Sequence, residues 1–145
     1  MFKLVKILNG RINQPEPIRL PAKAEDTALC FEAGSVLKLA AGKLANCEAT
    51  DKPAYLCAES AKLAPGDERM ICVFPINADM VFEVPCADAS ALVAGGLYTL
   101  SLTASEAGHG IACGVTTTTA GGVARVYDKV DPAGDGKRVR VTIPA

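Results

Sequence analysis

Tryptophan is absent from this sequence, and one histidine, three tyrosines and four phenylalanines are spread over its 145 residues. A core so poor in large rings must be filled by Val, Leu, Ile, Ala and Cys, which suits thin elements packed through short side chains. The scarcity of histidine is the sharper constraint. A Cys–His or Ser–His–Asp set needs a base within hydrogen-bond reach of its nucleophile, and His109 is the only histidine on offer. It lies in "EAGHGI", a glycine-rich stretch where a surface turn residue is expected.

Other absences narrow the field further. No basic run exists: 15 Lys plus Arg face 16 Asp plus Glu, a net charge of −1. Without a basic footprint, nucleic acid is not an expected partner. Near-neutral charge removes self-repulsion and is compatible with self-assembly or attachment to a protein surface. No apolar stretch approaches a membrane span, so no membrane partner is expected. The opening "MFKLVKILNGR" carries Lys3 and Lys6 within its apolar part and does not read as a signal peptide, which predicts a cytosol-like compartment.

Cysteine is plentiful, at positions 30, 47, 57, 72, 86 and 113, but no CxxC pair occurs and each lies among small or apolar neighbours. Buried free thiols acting as small hydrophobes are the expected role, ahead of disulfides or a metal site. Zinc requires clustered soft ligands, and none is legible around His109. Asp67 and Glu68 read as neighbours in a turn, and Glu83 as the polar face of a strand. "AGG" and "TAGG" lack the spacing of a phosphate loop. "DPAGDGKR" supplies Asp131 and Asp135 but then Lys137, so a turn is a better account than a calcium loop. The expectation is therefore no catalytic, cofactor-binding or metal-binding residue, no cofactor, and no enzyme. Lys137, Arg138 and Arg140 form a modest basic edge that solvates a strand or meets a partner.

What is present is β-patterning. Residues 2–8 suit a strand or an extended arm, and Pro15, Pro17 and Pro21 keep the next segment extended. "VLKLAAGKLANCEATDKPAYLCAE" has helical spacing at Leu37, Ala40, Ala41 and Leu44, yet Gly42 and Pro53 break any helix. The stretch reads instead as a hairpin turning at "AAGK", with Leu39 facing Leu44, then a "TDKP" turn and a third strand from Ala54. Residues 69–76 read as a strand buried on both faces, Met80, Phe82, Val84 and Cys86 as one face of another, and 97–102 as one strand. "GVARVYDKV" follows, and Val139, Val141 and Ile143 alternate with polar residues in the last strand. "CADASALVAGG" offers one short helical turn, capped by Asp88 or Ser90, holding Leu92 and Val93 and stopped by Gly95. "GSVLKLAAGKLANC" is echoed by "GGLYTLSLTASEAGHGIAC", which makes two related β-units plausible.

The succession "GSVLKLAAGKLANCEATDKPAYLCAES", "DERMICVFPINADMVFEVPC", "LVAGGLYTLSL", "TTTTAGGVARVYD" and "GDGKRVRVTI", over roughly residues 30–143, resembles small head-decoration proteins of tailed bacteriophages and prophages. The resemblance implies a capsid-stabilising virion protein that is not an enzyme, bound to the outside of the major capsid protein lattice. It implies a homo-oligomer, a trimer being frequent in that family, made in the host cytoplasm and ending on the capsid surface. The expected fold is mainly β, a compact barrel or sandwich-like domain of short antiparallel strands with at most one short helix. Residues 1–29 form an N-terminal strand or Pro-containing arm, and 30–145 the decoration-type domain. Other readings are a different virion component, of the tail or of head completion, and a bacterial ligand-binding β-module.

Overall fold

The structure, a computed structural model, describes residues 1–8, 15–129 and 134–145. Residues 9–14, within the expected arm, and residues 130–133, with Asp131, lie outside the described residues. The protein is mainly β, and every strand pairing is antiparallel.

The chain opens with β1 (Lys3–Ile7), then a first unit of β2 (Ile18–Lys23), β3 (Leu29–Phe31), β4 (Val36–Ala40), β5 (Lys43–Asn46), β6 (Tyr55–Cys57), β7 (Ala61–Leu63) and β8 (Glu68–Pro75). The second unit holds β9 (Met80–Pro85), β10 (Leu97–Tyr98), β11 (Leu100–Ala104), β12 (Gly110–Val115), β13 (Ala124–Asp128) and β14 (Arg138–Thr142). The first unit's sheet runs β2-β8-β6-β4-β5. In the second, β1-β9-β14-β13-β10 continues past Thr99 into the β11–β12 ribbon. With β10 and β11 taken as one interrupted strand, both units follow one rule: first, fifth, fourth, second, third. The echo between Gly34 and Gly95 thus corresponds to a repeated topology. Each glycine adopts positive φ, 88° and 86°, just before the second strand of its unit.

Each sheet curls until its third strand lies beside its first, β5 beside β2 and β12 beside β9. No ladder joins those strands among the described residues, so the units are open rolls and not closed barrels. Gly114 lets the second roll fold this far: a Cβ there would sit 2.5 Å from the carbonyl oxygen of Pro85.

The hairpin question resolves in favour of strands. Leu39 pairs with Leu44 and Ala40 with Lys43, leaving Ala41 and Gly42 as a two-residue loop. Their φ values of 51° and 79° are those of the mirror-image turn whose twist matches a hairpin, so the loop fixes the register. Pro21 lies in β2, an edge strand, where its missing N–H is tolerated. β1 pairs with β9 and β2 with β8, so residues 3–7 and 18–23 belong to the sheets.

Each roll has a core. Leu37, Leu44, Cys57, Leu63, Ile71 and Val73 fill the first, with the β3–β7 ribbon contributing Phe31 and Leu63. Phe82, Val84, Leu92, Leu100, Val126 and Val141 fill the second, joined by Val36, with Leu56 packed against it. Successive strand residues face opposite ways, so β4 sends Leu37 to one core and Val36 to the other, and β6 divides Cys57 and Leu56 likewise. These strands form the wall between the rolls. Phe2 adds a tie: its N–H donates to Gly34 O at 2.7 Å, while its ring meets Phe82 edge-on, centroids 5.9 Å apart.

Four expectations need correction. β8 is buried on one face only, through Ile71 and Val73, while Met70 is 48% exposed. A continuous apolar run does not reveal how many faces are covered, and the doubly covered strand is β4. Residues 97–102 are two strands, because Thr99 leaves the ladder to bond Thr118 O and Thr116 N–H, with its hydroxyl 2.6 Å from that of Thr116. The helical turn, capped by Asp88, covers only Ala89–Ala91; Leu92 follows it into the core and Val93 is exposed. None of the six cysteines is in a disulfide, but only Cys30, Cys47 and Cys57 are buried, while Cys72, Cys86 and Cys113 are half-buried.

Truncating Phe82 removes a ring from the second core and its contact with Phe2, and Phe82→Ala should cost about 3–5 kcal/mol. Gly114→Ala, which forces β12 from Pro85, should cost about 1–3 kcal/mol. Urea denaturation of the two variants beside the parent protein measures both.

Candidate functional site

Among the described residues the His109 ring meets a side-chain amide and a backbone carbonyl, and no hydroxyl or thiol is hydrogen-bonded to it. His109, at the β11–β12 hairpin, is half-buried and serves as a junction between rolls. Its Nε2 lies 3.0 Å from Asn46 Nδ2 and 3.2 Å from Cys30 O, and Asn46 Nδ2 donates to the same carbonyl at 2.8 Å. With Nε2 accepting from Asn46, the amide's two N–H groups are used on β3 and on the hairpin at once. His109 does lie in the hairpin turn, as expected, and in addition ties the two rolls together. Its partner was invisible in the sequence because Asn46 is 63 residues away.

The turn after β5 is electrostatically fastened. Lys38 Nζ lies 2.6 Å from Asp51 Oδ2, which also accepts from Glu48 N–H at 2.8 Å. The Lys38 hydrogen bond, then the Glu48 N–H, holds the Asp51 carboxyl below the usual carboxylate range. The same bond to Asp51 raises Lys38 above the usual amine value. Lys43 lies 3.8 Å from Glu68, so Lys38 and Lys43, both in the β4–β5 hairpin, have intramolecular partners. Burial pushes the Cys47 thiol up to about 12 and the Cys57 thiol up to about 11. Thiols so far from ionising are poor nucleophiles, which fits their place as core filling.

An apolar cleft of about 280 Å³ opens where the rolls meet, lined by Leu4, Pro15, Leu56, Phe74, Met80 and Phe82. Among the described residues no three His, Cys, Asp or Glu side chains gather as a metal site. No helix among them is long and apolar enough to cross a membrane.

The most distinctive surface is the outer face of the second roll. Directly paired residues of antiparallel strands share a face, which here links Lys3 to Glu83, Glu83 to Arg140 and Arg140 to Asp128 across four strands. Arg138 lies two residues from Arg140 on that face, and Arg125 joins it opposite Thr142. Bulges interrupt the ladder between Leu4 and Lys6 and between Val126 and Asp128. Bulges re-aim side chains, and here Lys6 Nζ stands 4.9 Å over the Tyr127 ring. Arg138 Nη1 reaches Glu83 at 3.1 Å, and Arg140 lies 3.8 Å from Asp128. The Glu83 side chain is only 11% exposed, against 52% for Arg138, so the cation stands outermost. Arg138 and Arg140, read from the sequence as a basic edge, are thus part of a broader face that includes Lys3, Lys6 and Arg125. The register that unites them is set by non-local pairing.

Comparison with protein-family models, with curated proteins and with solved structures finds no match.

Two outcomes test this geometry. Cys47 and Cys57 should resist iodoacetamide in the native protein near neutral pH and react only after denaturant is added, as read by peptide mass spectrometry. Asp51 contributes stability above the unfolded carboxylate value of about 4, lost as the pH falls through its lowered folded value; Lys38 contributes below about 10.4, lost as the pH rises through its raised one. Asp51→Asn should therefore lower the urea midpoint at neutral pH and flatten both its acid and its alkaline decline.

Proposed function

We propose that this chain is a non-catalytic structural protein of a tailed-phage particle, bound to the outside of the head and reinforcing its lattice. The observation that carries the reading is the succession of strands and turns from residue 30 to 143 that resembles head-decoration proteins. Its quoted segments fall in order on β4–β6, β8–β9, β10–β11, β13 and β14. Two rolls fused through a shared wall make a stiff body with broad outer faces. Such a body suits a repeating lattice, where many copies each contribute a modest contact and hold by their number. In this reading the partner is the major capsid protein lattice, and the protein acts as a homo-oligomer, such as a trimer, on the capsid surface.

A different virion component, of the tail or of head completion, would use the same kind of body; electron microscopy of labelled particles distinguishes shell from tail. The apolar cleft between the rolls, with Phe74 and Phe82 in its lining, is the observation that favours a ligand-binding module instead.

Purified protein should co-sediment with expanded phage heads and raise the temperature at which they release DNA. Heads that neither retain the protein nor gain heat resistance would sink the proposal. Saturable uptake of a small apolar probe, abolished by Phe74→Asp, would favour the module.

A further inference from the structure

We propose that the outer face of the second roll is the docking surface, and that it binds an acidic protein surface: on the reading above, on which this inference rests, an acidic patch on the outside of the head lattice. Three observations converge. First, among the described residues the face carries Lys3, Lys6, Arg125, Arg138 and Arg140 with the carboxylates of Glu83 and Asp128, although the whole chain has a net charge of −1. Glu83 pairs with Arg138 and Asp128 lies 3.8 Å from Arg140, and among the described residues Lys3, Lys6 and Arg125 add positive charge to the same face. A surface whose excess charge opposes that of its own molecule is matched to a partner of opposite sign.

Second, the chemistry is that of an interface. Three of the chain's six arginines and one of its three tyrosines lie on this face. Arg and Tyr are enriched at binding hot spots, where the planar guanidinium engages carboxylates in bidentate fashion. Lys6 is held over Tyr127, which reduces the side-chain entropy that docking would remove.

Third, the face is not flat. A depression of about 380 Å³ lies between Lys3 and Arg138, with Glu83, Val84 and Pro85 along its wall. An acidic side chain entering it meets cations from both β1 and the start of β14, and Glu83 disfavours entry at its own position. The lattice must therefore present carboxylates beside Lys3, Arg125 and Arg138.

The test is co-sedimentation with expanded heads across a salt series. Between about 50 and about 500 mM NaCl, wild-type affinity should fall at least about tenfold as the charges are screened. The triple variant Lys3→Gln, Lys6→Gln, Arg125→Gln spares both arginine–carboxylate pairs, and unchanged circular dichroism and urea midpoint would certify its fold. It should bind at least about tenfold more weakly and lose most of the salt dependence, while Lys23→Gln, Lys43→Gln, Lys62→Gln on the first roll stays within about twofold of wild type. Wild-type binding with equal affinity for both variants overturns this inference and leaves head attachment standing. Absence of wild-type binding overturns both. Loss of salt-sensitive self-association in the face variant, with head binding intact, would make the face a contact between copies and also overturn it.

Discussion

Two neighbouring residues, Val36 and Leu37, hold the molecule together by pointing in opposite directions. The pleat of a strand allows nothing else, and both are fully buried because a different core lies on each side. β6 repeats the arrangement with Leu56 and Cys57. A wall two strands wide thus belongs to both rolls, and neither roll can lose it without opening its neighbour's core. Phe2 tightens the joint, bonded to Gly34 in one roll and packed on Phe82 in the other.

The shared wall also explains the division of surfaces. The first roll spends one outer face on sealing the second core, and the β3–β7 ribbon covers its interior. The outer face of the second roll instead carries Arg125, Arg138 and Arg140, three of the chain's six arginines. Repetition of one topology in two units has produced unequal roles, with the first roll as support and the second as the bearer of the charged face.

The hairpin at Ala41–Gly42 was legible because turn chemistry is local: glycine takes positive φ without steric cost, and Pro53 cannot continue a helix begun before it. β14 was legible because its alternation is complete. His109 was not, since its role depends on Asn46, brought near by the packing of separate units. Nor was the break at Thr99, where a strand changes partners and the decisive hydrogen bonds come from Thr116 and Thr118. Residues 69–76 misled for a related reason: apolar content reports that a strand is covered, and the number of covering layers is set by neighbours it does not encode.

By itself the sequence determined a mainly β chain, its principal turns, the helical stop at Gly42 and Pro53, and a core of small aliphatic and thiol side chains. These follow from backbone conformational preference and from side-chain periodicity, both of which act within a few residues. Only the tertiary structure decided that two units share a wall, that β4 is buried twice, and that Lys3, Lys6, Arg125, Arg138 and Arg140 occupy one face. Those facts depend on register across β1, β9, β14 and β13, and register is fixed where strands distant in the chain must bury the same face together.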